Sequence, residues 1–322
     1  MSRETYAPLC ETLPRWLAEP PAEPPDWPAE CWALWRETAQ VHGVAPILWL
    51  RLRDRDAWAD SREGAWLADQ HDWNGRRVAR LHGELAEVLR LFAAEGVPIL
   101  PVKGAVLGAL RYEDAAARPM ADLDLLLREE HSAAGEALFA RLGYAKTFTG
   151  WKHARFSRPG SDRIVDRERE HPDNPRQLEV HPRCRERLRD DVIDLTDAMW
   201  SAARPGTLLG EATLLPGDDV HWLYLLVHAT HHVLQGNCRL LQLCDLERLA
   251  GRLSDPEPLL ASVDARATYP AQALLERYAP SERGAALRAV QRERLPAAYA
   301  EWADGLDLFE VCHLHEAPWR DA

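Results

Sequence analysis

Two aspartates stand inside an otherwise apolar stretch of the sequence, MADLDLLL, at Asp122 and Asp124. In a strand, residues i and i+2 point to the same face, so both carboxylates share one face and Leu123 and Leu125 the other. Two like charges this close repel each other and are costly to bury without a partner. The pattern therefore predicts a Mg²⁺ site, since Mg²⁺ prefers carboxylate and phosphate oxygens. The alternative, surface charges at a strand end, is disfavoured by the apolar flanks.

A third carboxylate is available in the segment RQLEVHP. If this segment is a strand, Gln177, Glu179 and His181 share one face. Should that strand lie beside the one that carries Asp122 and Asp124, Glu179 completes a three-carboxylate site. Two metal ions held in this way would activate an attacking hydroxyl and stabilise the pyrophosphate leaving group of an NTP.

A Lys-Gly pair, Lys103 and Gly104, lies between the apolar run VPILPV and the helix-like AVLGALRY. A glycine at a strand-to-helix turn lets backbone N–H groups approach a phosphate, and Lys103 would add a point charge toward a triphosphate. The pair becomes informative because the two aspartates follow it.

The elements around these residues predict an α+β protein, with a small mixed sheet core embedded in a largely helical chain. Residues 1–96 read as helical, because apolar side chains recur at helical spacing over residues 69–95. Residues 97–182 read as a small α/β core with short strands. After about residue 185 the strands are expected to stop, and residues 183–322 read as a helical domain.

Composition narrows the functional class. The net charge is −12, which disfavours large nucleic acids as partners. Residues 151–190 hold eleven Lys and Arg against eight Asp and Glu, an excess of +3 that suits a small polyanion or a solvated loop. No apolar run approaches the roughly 18 residues of a membrane span, and the six cysteines form no C-x-x-C pair. A cytoplasmic protein with reduced thiols is expected.

The order of strand, glycine turn, helix and D-x-D strand, with a later third acid, resembles the DNA polymerase β-type nucleotidyltransferase superfamily. The segments KGAVLGALRY…RPMADLDLLL, LEVH and HATHH…RLLQLCDLERL are more closely similar to an uncharacterised bacterial nucleotidyltransferase family, over residues 97–250. The resemblance implies a polymerase β-like core and Mg²⁺-dependent transfer of a nucleoside monophosphate from an NTP.

The resemblance also implies roles for individual residues. Asp122 and Asp124 match the metal-binding pair, and Glu179 matches the third carboxylate, as a metal ligand or a general base. The positions that precede them, which would bind the nucleotide, are Lys103, Gly104 and Arg118. The sequence departs from the superfamily in having Ala105 after the glycine, where a hydroxyl or a second glycine is usual, and Glu in place of Asp at the third acid.

A histidine-rich helix is the other candidate for chemistry. His228 and His232 stand at i and i+4, a spacing that could bind zinc as in H-E-x-x-H proteases. The position of the catalytic Glu holds Ala229, which disfavours a zinc hydrolase, and packed core histidines are the simpler interpretation. The resemblance instead implies that this helix, with Arg239 and Asp245 from the next one, lines the nucleotide or acceptor side of the cleft. We expect Arg239 to face the phosphates or the acceptor and Asp245 to orient His228 or His232.

The sequence thus predicts an NTP-dependent nucleotidyltransferase that acts on a hydroxyl or amine of a small molecule or peptide. The alternatives are a nucleotide-binding pseudoenzyme or regulatory module and, less favoured, the zinc hydrolase. Neither the acceptor, the base of the NTP nor the oligomeric state can be read from the sequence.

Overall fold

The computed structural model describes residues 3–160, 163–166 and 170–312. They form two compact units. The sheet unit consists of residues 70–186 and 194–221. The helical unit consists of the described residues up to Asp69, residues 187–193 and the described residues from Trp222 onward. The division of the chain into domains of residues 1–96, 97–182 and 183–322 stays a prediction.

Helices occupy the N-terminal hundred residues, as predicted: α1 (Arg3–Ala18), α2 (Ala29–Val41), α3 (Ala45–Leu52), α4 (Asp56–Ala59) and α5 (Arg62–Ala94). The proline-rich run between α1 and α2 carries no helix, because proline lacks the N–H that a helix interior needs. Helix α5 buries Val78, Leu85 and Phe92 along one face. Gly96 follows α5 with a φ of 68°, a conformation that glycine adopts without strain.

The sheet unit contains a mixed five-stranded sheet, which confirms the predicted α+β class. Its elements are β1 (Leu100–Pro101), α6 (Gly104–Leu110), β2 (Asp122–Leu126), α7 (Ser132–Arg141), β3 (Ala145–Thr149), β4 (Ala154–Ser157) and β5 (Gln177–His181). The strand order is β1-β2-β5-β4-β3. Strands β2 and β5 are parallel, and the other neighbouring pairs are antiparallel.

One face of the two central strands builds the core of this unit. Leu123 and Leu125 of β2 and Leu178 and Val180 of β5 are buried in one apolar cluster together with side chains of α5. Because side chains alternate along a strand, Asp122 and Asp124 face away from this cluster. The apolar residues of β2 therefore fix which face carries the carboxylates.

The expectation that strands stop near residue 185 is wrong. Four further strands follow, β6 (Arg185–Leu188), β7 (Asp191–Asp194), β8 (Arg204–Leu208) and β9 (Glu211–Leu215), with α8 (Thr196–Ala202) before β8. They form two separate two-stranded sheets, β6-β7 and β8-β9. Leu209 and Gly210 turn the β8-β9 hairpin with φ of 52° and 83°. Strands β6 and β7 have only four residues each, and β8 and β9, as long as β2 and β5, show no alternation of buried and exposed side chains. Strand β8 also contains Pro205 and Gly206, which are typical of turns.

The remaining helices are α9 (Asp218–Leu234), α10 (Leu240–Ala250), α11 (Glu257–Ala261), α12 (Tyr269–Tyr278), α13 (Glu282–Glu293) and α14 (Ala297–Gly305). In the helical unit Trp16, Trp32, Trp35 and Trp58 pack against one another, with ring centroids of Trp16 and Trp35 5.0 Å apart. All six cysteines are free thiols. Among the described residues, every helix is too short or too polar to cross a membrane.

Candidate active site

Strands β2 and β5 bring the predicted carboxylates together. In the parallel register, Asp122 lies opposite Gln177 and Asp124 lies opposite Glu179. Asp124 is 6% exposed, and Asp122 and Glu179 are half-buried. The structure thus brings the third acid beside the D-x-D pair on the face away from the core, although Glu179 lies 55 positions after Asp124 in the chain.

The neighbouring carboxylates of this face make ionisation of Asp122 less favourable. Burial, together with the neighbouring carboxylates of Asp124 and Glu179, raises the pKa of Asp122 to about 7. A carboxyl group that titrates near neutral pH marks a place where negative charge is crowded. A divalent cation would relieve this crowding, and hard carboxylate oxygens are the ligands that Mg²⁺ prefers, so the residues fit the metal that the family resemblance implies.

Lys103 and His181 both contact one oxygen of Asp124. Lys103 Nζ donates to Asp124 Oδ1 over 2.6 Å, and His181 Nε2 lies 2.9 Å from the same oxygen. Burial alone would raise the pKa of Asp124, but Lys103 and His181 outweigh it and hold that pKa well below its usual range. Asp124 is therefore ionised. Asp122, two residues before it on the same face, has a raised pKa, which favours its protonated form.

The turn from β1 into α6 carries a strained residue. Lys103 has a φ of 50°, a region that is unfavourable for residues with a Cβ. Its backbone N–H donates to Nε2 of buried His221 over 3.0 Å. Burial lowers the pKa of His221 to about 3, so the imidazole is neutral and Nε2 can accept this bond. Sequence reasoning missed His221, which lies 118 residues away in the first turn of α9.

The guanidinium of Arg118 packs directly on Gly104. A Cβ at position 104 would lie 2.5 Å from Arg118 Nη1, closer than non-bonded atoms approach. Arg118 is itself 8% exposed and donates to the carbonyl of Pro119. Gly104 and Arg118, two of the predicted nucleotide-binding residues, are therefore in direct contact. Lys103, a third, is adjacent to Gly104 in the chain.

Two imidazoles add to the site, and the sequence assigned neither of them a role. The donor atoms of His153, Glu179 and His181 lie within 4.8 Å of one another. His153 Nε2 lies 3.4 Å from Glu179 Oε1, and Arg155 Nη2 lies 3.5 Å from the same oxygen. Burial lowers the pKa of both His153 and His181, so both rings are neutral at physiological pH.

A second ion pair, between half-buried Lys152 and buried Glu186, accompanies that of Lys103. Burial lowers the pKa of Lys152, and the positive charge of Lys103 lowers it further, which shows that the two ammonium groups are neighbours. The basic excess of residues 151–190 is thus partly buried and paired. The signal that could have found Lys152 is its residue type, because the chain has only three lysines.

Arg77 of α5 bonds to the segments that lead into β2 and β5. Its guanidinium is buried and donates to five backbone carbonyls, which are those of Met120, Ala121, His171, Asn174 and Pro175. These carbonyls immediately precede β2 and β5. The register that places Asp124 opposite Glu179 is therefore fixed in part by one side chain from a helix.

Comparison with known proteins identifies the family. The family model described as "Uncharacterised nucleotidyltransferase" matches residues 28–273, about three quarters of the chain. The chain belongs to this family. It is a nucleotidyltransferase of the α+β class, in agreement with the resemblance of its motifs. A solved structure of the antibiotic-resistance factor ANT(2'')-Ia is also similar, with 14% identity, a TM-score of 0.42, and coverage of 74% of this chain and 99% of that one. No curated protein gives a significant match.

The remaining predicted residues of this nucleotidyltransferase lie in the helical unit. The rings of His228 and His232 meet edge-on within α9, with centroids 4.4 Å apart, and His232 Nδ1 bonds to Asn237 Oδ1 over 2.6 Å. Among the described residues, no group of three convergent metal ligands includes this pair, which removes support from a zinc hydrolase. Asp245 is buried in α10, and Arg239, at the start of α10, is exposed. Their roles at the nucleotide or acceptor stay predictions.

Proposed function

We propose that this nucleotidyltransferase transfers a nucleoside monophosphate from an NTP to a hydroxyl or amine of a small molecule or peptide, in a Mg²⁺-dependent reaction that releases pyrophosphate. The observation that carries the proposal is the register of β2 and β5, which sets Asp124 opposite Glu179 with Asp122 on the same face. When bound there, two Mg²⁺ ions would activate the acceptor hydroxyl and stabilise the departing pyrophosphate.

Positive charge for the triphosphate comes from two side chains beside this face. Lys103 Nζ is bonded to Asp124, and the Arg118 guanidinium rests on Gly104 at the turn from β1 into α6. A planar guanidinium can bond two phosphate oxygens at once, whereas a compact ammonium acts as a point charge. In this proposal Arg118 orients the phosphates, and Lys103 moves between Asp124 and a phosphate oxygen during the catalytic cycle.

His221 and Arg77 position these groups without touching the substrate. His221 fixes the strained backbone of Lys103 by accepting its N–H bond. Arg77 fixes the starts of β2 and β5. Preorganised charges of this kind stabilise a transition state because they need no rearrangement when the reaction occurs.

The acceptor is proposed to be small. The net charge of −12 disfavours a large nucleic acid. Several of the arginines and lysines of residues 151–190 also form ion pairs within the protein, with Glu84, Glu179 and Glu186. An amine- or hydroxyl-bearing small molecule or peptide suits this balance. The protein is proposed to act in the cytoplasm, where NTPs are present.

The test measures pyrophosphate release from each of the four NTPs with Mg²⁺, over a panel of amino- and hydroxyl-bearing small molecules and peptides. We expect release with at least one acceptor, its loss on chelation of Mg²⁺, and a loss of more than about 95% in Asp124→Asn, because a metal ligand is removed. The matched control is Asp191→Asn, an exposed aspartate in β7 that should leave the rate unchanged. Retention of the rate in Asp124→Asn would contradict the assignment.

A nucleotide-binding module without turnover is the second candidate, and the ion pair of Lys103 and Asp124 favours it. An ammonium bonded to Asp124 already neutralises one of the expected metal ligands. Calorimetric titration with a non-hydrolysable NTP analogue separates the two. Binding of the analogue without pyrophosphate release from any NTP would support the binding module, whereas turnover excludes it.

A further inference from the structure

The imidazoles of His153 and His181 change the chemistry of the site beside Glu179. Donor atoms of these three side chains converge within 4.8 Å, and the two rings lie 5.3 Å apart in an edge-on arrangement. Their positions follow from the sheet. Glu179 and His181 are two residues apart and therefore lie on the same face of β5, and His153 directly precedes β4, the neighbouring strand.

The donor set favours a transition metal over Mg²⁺. Two imidazole nitrogens and one carboxylate oxygen are the ligands that Zn²⁺, Co²⁺ and Mn²⁺ accept, whereas Mg²⁺ is bound almost entirely by oxygen. Three protein ligands also leave coordination positions open for water or a substrate oxygen.

Unsatisfied nitrogens point to a ligand at this position. Among the described residues, Nδ1 of His153 and Nδ1 of His181 are buried without a hydrogen-bond partner, and buried His153 Nε2 makes no hydrogen bond although it lies 3.4 Å from Glu179 Oε1. Buried polar atoms nearly always have partners, so these require an explanation. His181 is 1% exposed, and its other nitrogen, Nε2, contacts Asp124. A histidine that binds a metal through one nitrogen commonly donates its other N–H to a carboxylate, which fixes the orientation of the ring.

We propose that His153, Glu179 and His181 bind a first-row transition-metal dication, Zn²⁺ or a close relative, with His181 as an Nδ1 ligand held by Asp124. One of the two cation positions of the active site is then selective for nitrogen-binding metals, while Asp122 and Asp124 serve Mg²⁺. The inference rests on the proposed function in that Glu179 and Asp124 belong to both. Arg155, 3.5 Å from Glu179, gives up that contact when the metal binds.

The experiment uses the full chain, stripped of metal with a chelator and without NTP. Titration with Co²⁺ is followed by visible absorption. Co²⁺ with a coordination number of four or five and imidazole among its ligands absorbs far more strongly than the six-coordinate hexaaqua ion. We expect one equivalent to bind, Zn²⁺ to displace it, and a hundredfold excess of Mg²⁺ to leave it in place. Displacement by Mg²⁺ at equal concentration would overturn the inference.

Two variants and a control locate the metal. His153→Ala and the isosteric Glu179→Gln should each weaken Co²⁺ binding by about 100-fold or more, because loss of outer partners of a metal ligand alone costs 10–100-fold. His228→Ala removes one member of the other histidine pair and should leave the Co²⁺ band unchanged. Circular dichroism checks that each variant is folded, and Glu179→Gln, which keeps the side-chain volume, decides the matter if His153→Ala does not fold.

The outcomes separate this inference from the proposed function. A Co²⁺ band that persists in both site variants, or that is lost in His228→Ala, overturns the metal site whatever the turnover. A band that behaves as expected in a protein that releases no pyrophosphate leaves the metal site standing and contradicts the proposed function alone. Mg²⁺-dependent turnover in a protein that binds no Co²⁺ does the reverse.

Discussion

The buried ion pair between Lys103 and Asp124 gives the sharpest test of how the site is held together. We consider Lys103→Met, Asp124→Asn and the double variant. Methionine keeps much of the length of lysine, and any residue with a Cβ meets the same strained φ of 50°, so the comparison isolates the charge. Each single variant leaves one buried charge without its partner, and the double variant leaves neither.

The magnitude follows from the geometry. At an effective dielectric constant of about 20, unit charges 2.6 Å apart attract by about 6 kcal/mol. Desolvation offsets part of this attraction, and removal of one partner from a buried pair costs about 3–5 kcal/mol. Because His181 remains bonded to Asp124 in Lys103→Met, we expect that variant to lose about 3 kcal/mol of stability, at the lower end of this range. The double variant should cost less than the sum of the singles by about 2 kcal/mol or more.

The assay must report on the sheet unit alone, because the chain contains two compact units. Hydrogen exchange followed by mass spectrometry on peptides that cover α6 and β2 gives the local free energy of opening at increasing urea. The control pair is Lys146 with Glu136, whose side chains are about 40% exposed. Its coupling, from Lys146→Met and Glu136→Gln, should not exceed about 1 kcal/mol. A coupling between Lys103 and Asp124 no larger than that of the control would refute the reasoning.

Three further predictions address other parts of the site. Gly104→Ala should displace the guanidinium packed on it and weaken NTP binding in a calorimetric titration, whereas Gly108→Ala, whose new Cβ would make only ordinary contacts of 3.7 Å or more, should leave affinity unchanged; equal affinities would contradict the close approach. Arg77→Ala should lower the free energy of unfolding of the sheet unit by at least about 3 kcal/mol, since it leaves five carbonyls without a charged donor, while Arg80→Ala, an exposed neighbour, should cost about 0.5 kcal/mol or less in the same urea titration. Arg239→Ala should leave the melting temperature unchanged and lower turnover, and an unchanged turnover would remove this exposed residue from the nucleotide site.

The sequence by itself determined the features that depend on local backbone geometry. The alternation of MADLDLLL placed both aspartates on one face, because the period of a strand is a property of the backbone. The same holds for the helical spacing of α5 and for the glycine that ends it. The hairpins after residue 185 were missed because β8 and β9, although as long as β2, have no buried face that would produce an alternation in the sequence.

Tertiary structure decided everything that joins distant segments. The sequence could state that Glu179 would complete the site if its strand lay beside β2, but only the burial of Leu123 and Leu178 in a common core brings those strands together. The support of Lys103 by His221 depends on how residues 218–221, the first turn of α9, pack within the sheet unit. Such contacts carry no local pattern, since each residue type is common and its partner is set by packing of the whole unit. The chemistry of the aspartates was therefore readable in advance, and the imidazoles that accompany them were not.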